Sequence, residues 1–282
     1  MDARLRRFVG VSAALTGILM VLGVYTASTG AGLTCAGRWP FCDGFLGLFP
    51  ANWSSFIEWF HRLVAMITGF VVLGTTVSAW RRDADRRVRL ALAGATILLP
   101  SQIILGALTV TTYEWAILLA HFGTAAIIFT GVALAFAWAY EPASGTDTID
   151  RIRRPLVVAS VLLPVMLVLA PHAFVTFGPE VQATYYSAGL TTYAALLVAA
   201  VWIAPAAGTA GTRPRRLIRR LSSVAAVAVV SLLVVGRLVY GGTLQYVSIG
   251  GTVVVLGLVA AVWVAARSDG VAADAGTAFG SD

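Results

Sequence analysis

Three groups able to do chemistry stand within little more than one helical turn in EWFHRLVAMITG, residues 58–69: the carboxylate of Glu58, the imidazole of His61 and the guanidinium of Arg62. A second imidazole, His121, lies in LLAHFGTAA. Both cysteines of the chain, Cys35 and Cys42, lie in TCAGRWPFCDG with six residues between them. Neutral imidazoles on two facing helices are the arrangement that holds a haem iron from both sides. Both histidines are followed on their own helical faces by slim residues, Ala65 and Thr68 after His61 and Thr124 and Ala125 after His121, which would let a flat macrocycle approach the backbone. Arg62 is placed to pair with a propionate carboxylate, and Glu58 to act as a proton acceptor beside the ring. Each residue also has a plainer reading. A lone histidine near a helix end is an interfacial residue, Glu58 a first-turn acid favoured by the helix dipole, and Arg62 a snorkelling anchor. The four taken together favour the chemical reading, because ionisable groups inside membrane spans are costly and functional as a rule.

The elements that position these groups follow from composition. Of 282 residues, 59% are apolar and 12% charged, a balance that excludes an ordinary soluble globule and predicts an all-α integral membrane protein. Uncharged runs extend over 8–27, 63–80, 90–113, 115–140, 156–178, 181–212, 221–236 and 238–266. Each is near or above the length that spans a bilayer, so eight transmembrane helices are predicted. All 20 basic charges are arginines, concentrated before the first run and after the second, fourth and sixth. By the positive-inside rule both termini are cytoplasmic and the Cys35/Cys42 loop is external. The net charge of +7 is then a topological device and gives no reason to expect nucleic acid as a partner. The tail 268–282 is small, polar and acidic and reads as disordered.

With this topology the second and fourth spans both enter from the outer side, so His61 and His121 fall at similar depth, His121 about 9 Å beyond Trp115. The cysteines face an oxidising compartment where a disulfide persists. Their role is left open between a staple for the loop and a redox-active pair. The spacing excludes the attachment motif of c-type haem.

The combination of TGAGLTCAGRWPFCDG, EWFHRL, PSQIILGALTV and LAHFGTA resembles the haem A synthase family, called CtaA in bacteria and Cox15 in mitochondria, over the first half of the chain. The resemblance implies eight spans in two four-helix bundles, and oxidation of a ring methyl group of haem O to the formyl group of haem A with oxygen taken from water. It further implies that His61 and His121 ligate haem iron, that Glu58 is the carboxylate beside that site, and that Cys35 and Cys42 are the external cysteine pair. Haem O synthase is then the expected donor of substrate, terminal oxidase assembly the downstream use, and the electron acceptor is not readable. Two other classes compete: a bis-histidine cytochrome b type electron carrier, and a transporter or scaffold without haem.

The chain divides on this reading into a catalytic half, 1–140, and a degenerate repeat, 150–267. Laying PEVQATYYSAGLTTYAALL under SFIEWFHRLVAMITGFVVL puts Tyr185 at the place of His61, and a similar overlay puts Ser248 at the place of His121. Family members carry a second haem in this half, but here both ligand positions are lost. His172 and Met166 offer no evident replacement, so one haem site per chain is expected, in the first half.

Overall fold

The structure, a computed structural model, describes residues 1–112, 114–142, 148–171, 173–203, 213–237 and 244–278. Among these, helices are the only regular elements: α1 Ala3–Ser28, α2 Trp53–Arg81, α3 Arg86–Ile97, α4 Leu99–Thr111, α5 Trp115–Ala139, α6 Thr148–Val168, α7 Pro179–Trp202, α8 Arg213–Gly236 and α9 Leu244–Ala278. The chain is an all-α, multi-pass membrane protein, because helices are the open-chain structures that satisfy every backbone group inside lipid.

Among the described residues, seven segments are long and apolar enough to cross a membrane, with α3 and α4 together forming one of them, Arg86–Thr111. Pro100 explains that division, since it has no N–H to give to the preceding turn and its ring crowds the carbonyl of the turn below. The remaining element, α6, has three arginines in its first two turns and ends at Val168, although the uncharged run continues to Gly178. The sequence predicts α6 as the eighth span; the described helix carries its arginines at the start and an uncharged stretch from there to Val168. Two further boundaries differ. α2 begins at Trp53, where Asn52 accepts the Ser55 N–H at 3.0 Å, so Glu58 lies in the second turn and not at the helix start. The backbone of α9 continues to Ala278, into the tail read as disordered, through an alanine-rich stretch that favours helix.

The first bundle closes by α1 packing on α2 and α5 while α3 packs on α2 and α5, which leaves α2 and α5 at opposite corners. α4 packs on α5, with no comparable packing on α2. The later helices repeat this ring: α6 on α7, α7 on α8, α8 on α9 and α9 on α6. α7 also packs on α1 and α5, so the largest apolar cluster runs from Met20, Val24, Phe122 and Phe129 into Tyr185, Tyr186, Leu196 and Leu233. Tyr193 Oη lies 2.7 Å from Thr130 Oγ1, and Trp202 Nε1 donates to Ala137 O at 2.8 Å, so polar bonds cross the same junction. Arginines at the start of α1, the end of α2 and the starts of α3 and α6 lie at one end of the molecule, with Arg38 and Arg62 at the other. Arg82 pairs with Asp2, Arg87 with Glu141 at 3.6 Å, and Arg151 donates to Trp202 O at 3.0 Å. The cysteine loop closes the other end of the first bundle.

Candidate functional site

Glu58, His61 and Arg62 share one face of α2 through their i, i+3 and i+4 spacing. Glu58 is 5% exposed and receives Arg62 Nε at 2.7 Å on Oε1. The same guanidinium turns away from the bundle at Nη1, which donates to the carbonyls of Arg38 at 3.1 Å, Pro40 at 3.4 Å and Phe41 at 2.9 Å. Nη2 is buried with no partner. The sequence offers Arg62 as a partner for a propionate; the structure places it between Glu58 and the cysteine loop, with one nitrogen left over.

His61 lies against Gly23 of α1, where an added Cβ would stand 3.1 Å from Cε1 of the ring. His121 lies against Gly106 of α4, where the same distance is 3.5 Å. Gln102 of α4 donates to the His121 carbonyl at 3.3 Å and fixes that register. The two imidazoles come from helices at opposite corners of the first bundle. Each has a buried Nδ1 with no hydrogen-bond partner, as does the hydroxyl of Thr68 further along α2. Buried polar atoms in a folded protein are nearly always satisfied, so these unpartnered nitrogens make this place the candidate for a ligand. Two free imidazoles, a spare guanidinium nitrogen and walls thinned by Gly23 and Gly106 suit a flat, iron-bearing macrocycle with carboxylate edges.

Cys35 and Cys42 are bonded to one another, and both are buried. Asp43 anchors the bonded loop to the start of α2 by accepting from Ser55 Oγ at 2.6 Å and from the Ala51 N–H at 2.9 Å. The Ser55 hydroxyl, and then the Ala51 amide, hold the Asp43 carboxyl below the usual carboxylate range. Gly44 has no room for a side chain, since a Cβ there would meet the Phe49 carbonyl oxygen at 2.6 Å.

The corresponding interior of the later helices is filled. Tyr185 and Tyr186 are fully buried and stack edge-on with Phe177 and Phe122. Ser248 is also buried, and Thr252 donates to its carbonyl at 2.7 Å. Leu233 presses on Gly189 and Leu232 on Gly251, in each case so closely that an added Cβ would lie 2.5 Å away. Met166 is packed in the same core. His172 lies outside the described residues. Sequence reasoning did not single out Gly23, Gly106, Gln102 or Asp43. Their only signal is small size or polarity in a run with many such residues, and it acquires meaning when the opposing imidazole or hydroxyl is known.

Fold and site together define a multi-pass helical membrane protein whose early spans carry a paired-imidazole centre beside a buried Glu–Arg pair and a disulfide-closed loop. Residues 51–176, a little under half of the chain, match the family model of COX15-CtaA, cytochrome oxidase assembly protein. The segment contains Glu58, His61, Arg62 and His121 and begins after the cysteines. Among curated relatives, the chain is 32% identical over 126 residues to the Heme A synthase of Bacillus licheniformis, covering 44% of this chain and 41% of that protein. It is 34% identical over 128 residues to the Heme A synthase of Bacillus pumilus, with the same two shares, 44% and 41%. It is also 34% identical over 156 residues to the Protoheme IX farnesyltransferase of Haloarcula marismortui, covering 54% of this chain and 33% of that protein. The matched part therefore spans less than half the length of each of these relatives.

Proposed function

We propose that this protein is a haem A synthase, an oxidoreductase that converts a ring methyl group of haem O to the formyl group of haem A in the cell membrane. The observation that carries this reading is the pair of imidazoles free of hydrogen bonds, from α2 and α5, with Glu58 one turn before His61, inside the segment that matches the family. His61 and His121 would hold the iron, and Nη2 of Arg62 is the donor left for a propionate. Haem O supplies the carbon that is oxidised; water supplies the oxygen, and the electrons and protons released must be carried off. Glu58 accepts a proton near the reacting edge, and its ion pair with Arg62 fixes its direction. The filled interior around Tyr185 and Leu233 supports a single haem site, in the half 1–140, with 150–267 as a packing partner. The excess of arginines at the end away from the cysteine loop supports cytoplasmic termini and an external loop. Haem O synthase would deliver the substrate and terminal oxidase assembly would use the product.

The test is complementation of a cell lacking its own enzyme, with haem A measured by pyridine haemochrome. His61→Ala or His121→Ala abolishes haem A, and Glu58→Gln retains bound haem but slows its conversion by about a hundredfold. Wild-type haem A levels from either histidine variant would remove the assignment. A permanently bound haem b that is never converted would instead identify an electron carrier.

A further inference from the structure

All three carbonyls that hold Arg62 Nη1, those of Arg38, Pro40 and Phe41, lie inside the ring closed by the Cys35–Cys42 bond. The same guanidinium holds Glu58 through Nε. Two contacts from one rigid planar fork cannot be set independently, because the guanidinium moves as a unit. We infer that Arg62 is a positioning residue that couples the closed cysteine loop to the placement of Glu58, so that opening the Cys35–Cys42 bond releases Glu58 from its direction in the site. This rests on the proposed function only for the task assigned to Glu58; the coupling itself depends on the contacts alone.

The physical basis is local. Cys35 and Cys42 are buried at the two ends of the ring, and Asp43, next to Cys42, ties one end to Ser55 and Ala51 at the start of α2. While the bond is closed, the carbonyls between the cysteines have little freedom and converge on one nitrogen. Opening it breaks the S–S bond and forms two thiols, taking two electrons and two protons from an external dithiol that closes to its own disulfide. The loop then gains the conformational freedom that the ring had removed, and convergence of three acceptors on one donor is lost. Arg62, no longer held on the loop side, is free to swing toward water, and Glu58 is left as a buried carboxylate with a poorly fixed partner. Coupling of this kind is reciprocal, so weakening the Arg62 contacts also makes the bond easier to open.

The reciprocity gives a measurement on the full-length purified chain that needs no turnover. Disulfide opening by dithiothreitol is followed by maleimide labelling and intact mass. Equilibrated against a fixed ratio of reduced to oxidised dithiothreitol, Arg62→Gln is expected to show an open-to-closed ratio about tenfold above the parent, the equivalent of one charged hydrogen-bonded contact. Arg38→Gln keeps the Arg38 carbonyl and shows the parent ratio. Arg62→Lys keeps the charge without the fork and falls between, which provides a second variant if the glutamine does not fold. A parent ratio in both Arg62 variants would overturn the inference. A second readout separates positioning from general loosening: the infrared carboxylate band of Glu58, identified by its loss in Glu58→Gln, shifts on reduction in the parent and no longer shifts in Arg62→Gln. A band unmoved by reduction in the parent also overturns it. If both results are as expected and no haem A is formed, the functional assignment fails and the coupling stands.

Discussion

At the scale of single residues, the site is defined as much by what is missing as by what is present. His61 and His121 each face a glycine, and each glycine lies on a helix that neighbours the one bearing the imidazole, or the bundle corner beside it. Gly23 is the tighter of the two, with 3.1 Å between an added Cβ and His61 Cε1. A methyl group there needs a shift of a few tenths of an ångström, whereas Gly23→Leu drives the ring from its place. Haem retained per chain on purification is expected to fall about tenfold in Gly23→Leu, in keeping with overpacking costs of ~1–3 kcal/mol, and to change little in Gly23→Ala. Retention of haem at the parent level by Gly23→Leu would show that His61 does not depend on that wall. The Glu58–Arg62 pair belongs to this scale too. Its value lies in direction, since a buried pair contributes little net stability but fixes where its members stand.

At the scale of elements, the cysteine loop and α7 make different use of polar groups. In the loop, Asp43 is held as a carboxylate by the Ser55 hydroxyl and the Ala51 amide, so its folded-state pKa lies below its unfolded value. A carboxyl shifted in that direction contributes stability that is present above the unfolded pKa, about 4, and is lost as pH falls through the lower folded value. Dithiothreitol is inactive in acid, so a phosphine reductant is the right probe. The disulfide is expected to open faster below about pH 4 in the parent, and Asp43→Asn removes that dependence. A parent chain whose opening rate stays flat through this range would contradict the role given to Asp43. In α7, Tyr186 donates to the Leu233 carbonyl at 2.9 Å, whereas the buried Tyr185 hydroxyl has no partner. Tyr186→Phe therefore destabilises by about 1 kcal/mol, while Tyr185→Phe is neutral or stabilising by up to about the same amount, read from thermal unfolding in detergent. An equal loss in both variants would mean that the Tyr185 hydroxyl is satisfied in the membrane.

At the scale of the whole molecule, one ring topology occurs twice with different interiors. The first ring presents imidazoles against glycines, and the second fills the same kind of place with Tyr185, Leu232 and Leu233. A core packed to that density has no room for a second macrocycle without repacking several large side chains. The iron content of fully loaded protein is thus expected near one per chain, and a ratio near two, or haem surviving the double change of His61 and His121 to alanine, would overturn the single-site reading. The second ring also has a mechanical task, since α7 covers α1 and α5 and joins them through Thr130–Tyr193 and Ala137–Trp202.

The sequence by itself determined the class of protein and most of the candidate chemistry. Long apolar runs point to spanning helices, and ionisable groups at or inside such runs, His121 within one and Glu58 and His61 just before another, are costly in lipid and mark the candidate site. The sequence overlay sets Tyr185 and Ser248 at the places of His61 and His121, and the structure shows both residues buried. Tertiary structure alone decided where Arg62 spends its donors, which glycines make room for an imidazole, and that α6 stops at Val168. Those outcomes depend on atoms brought together from separate helices and from a loop closed by a disulfide. A contact between Arg62 and the carbonyls of Arg38, Pro40 and Phe41 leaves no mark in side-chain identity, since every residue has a carbonyl and only the folded path of the chain selects which three converge.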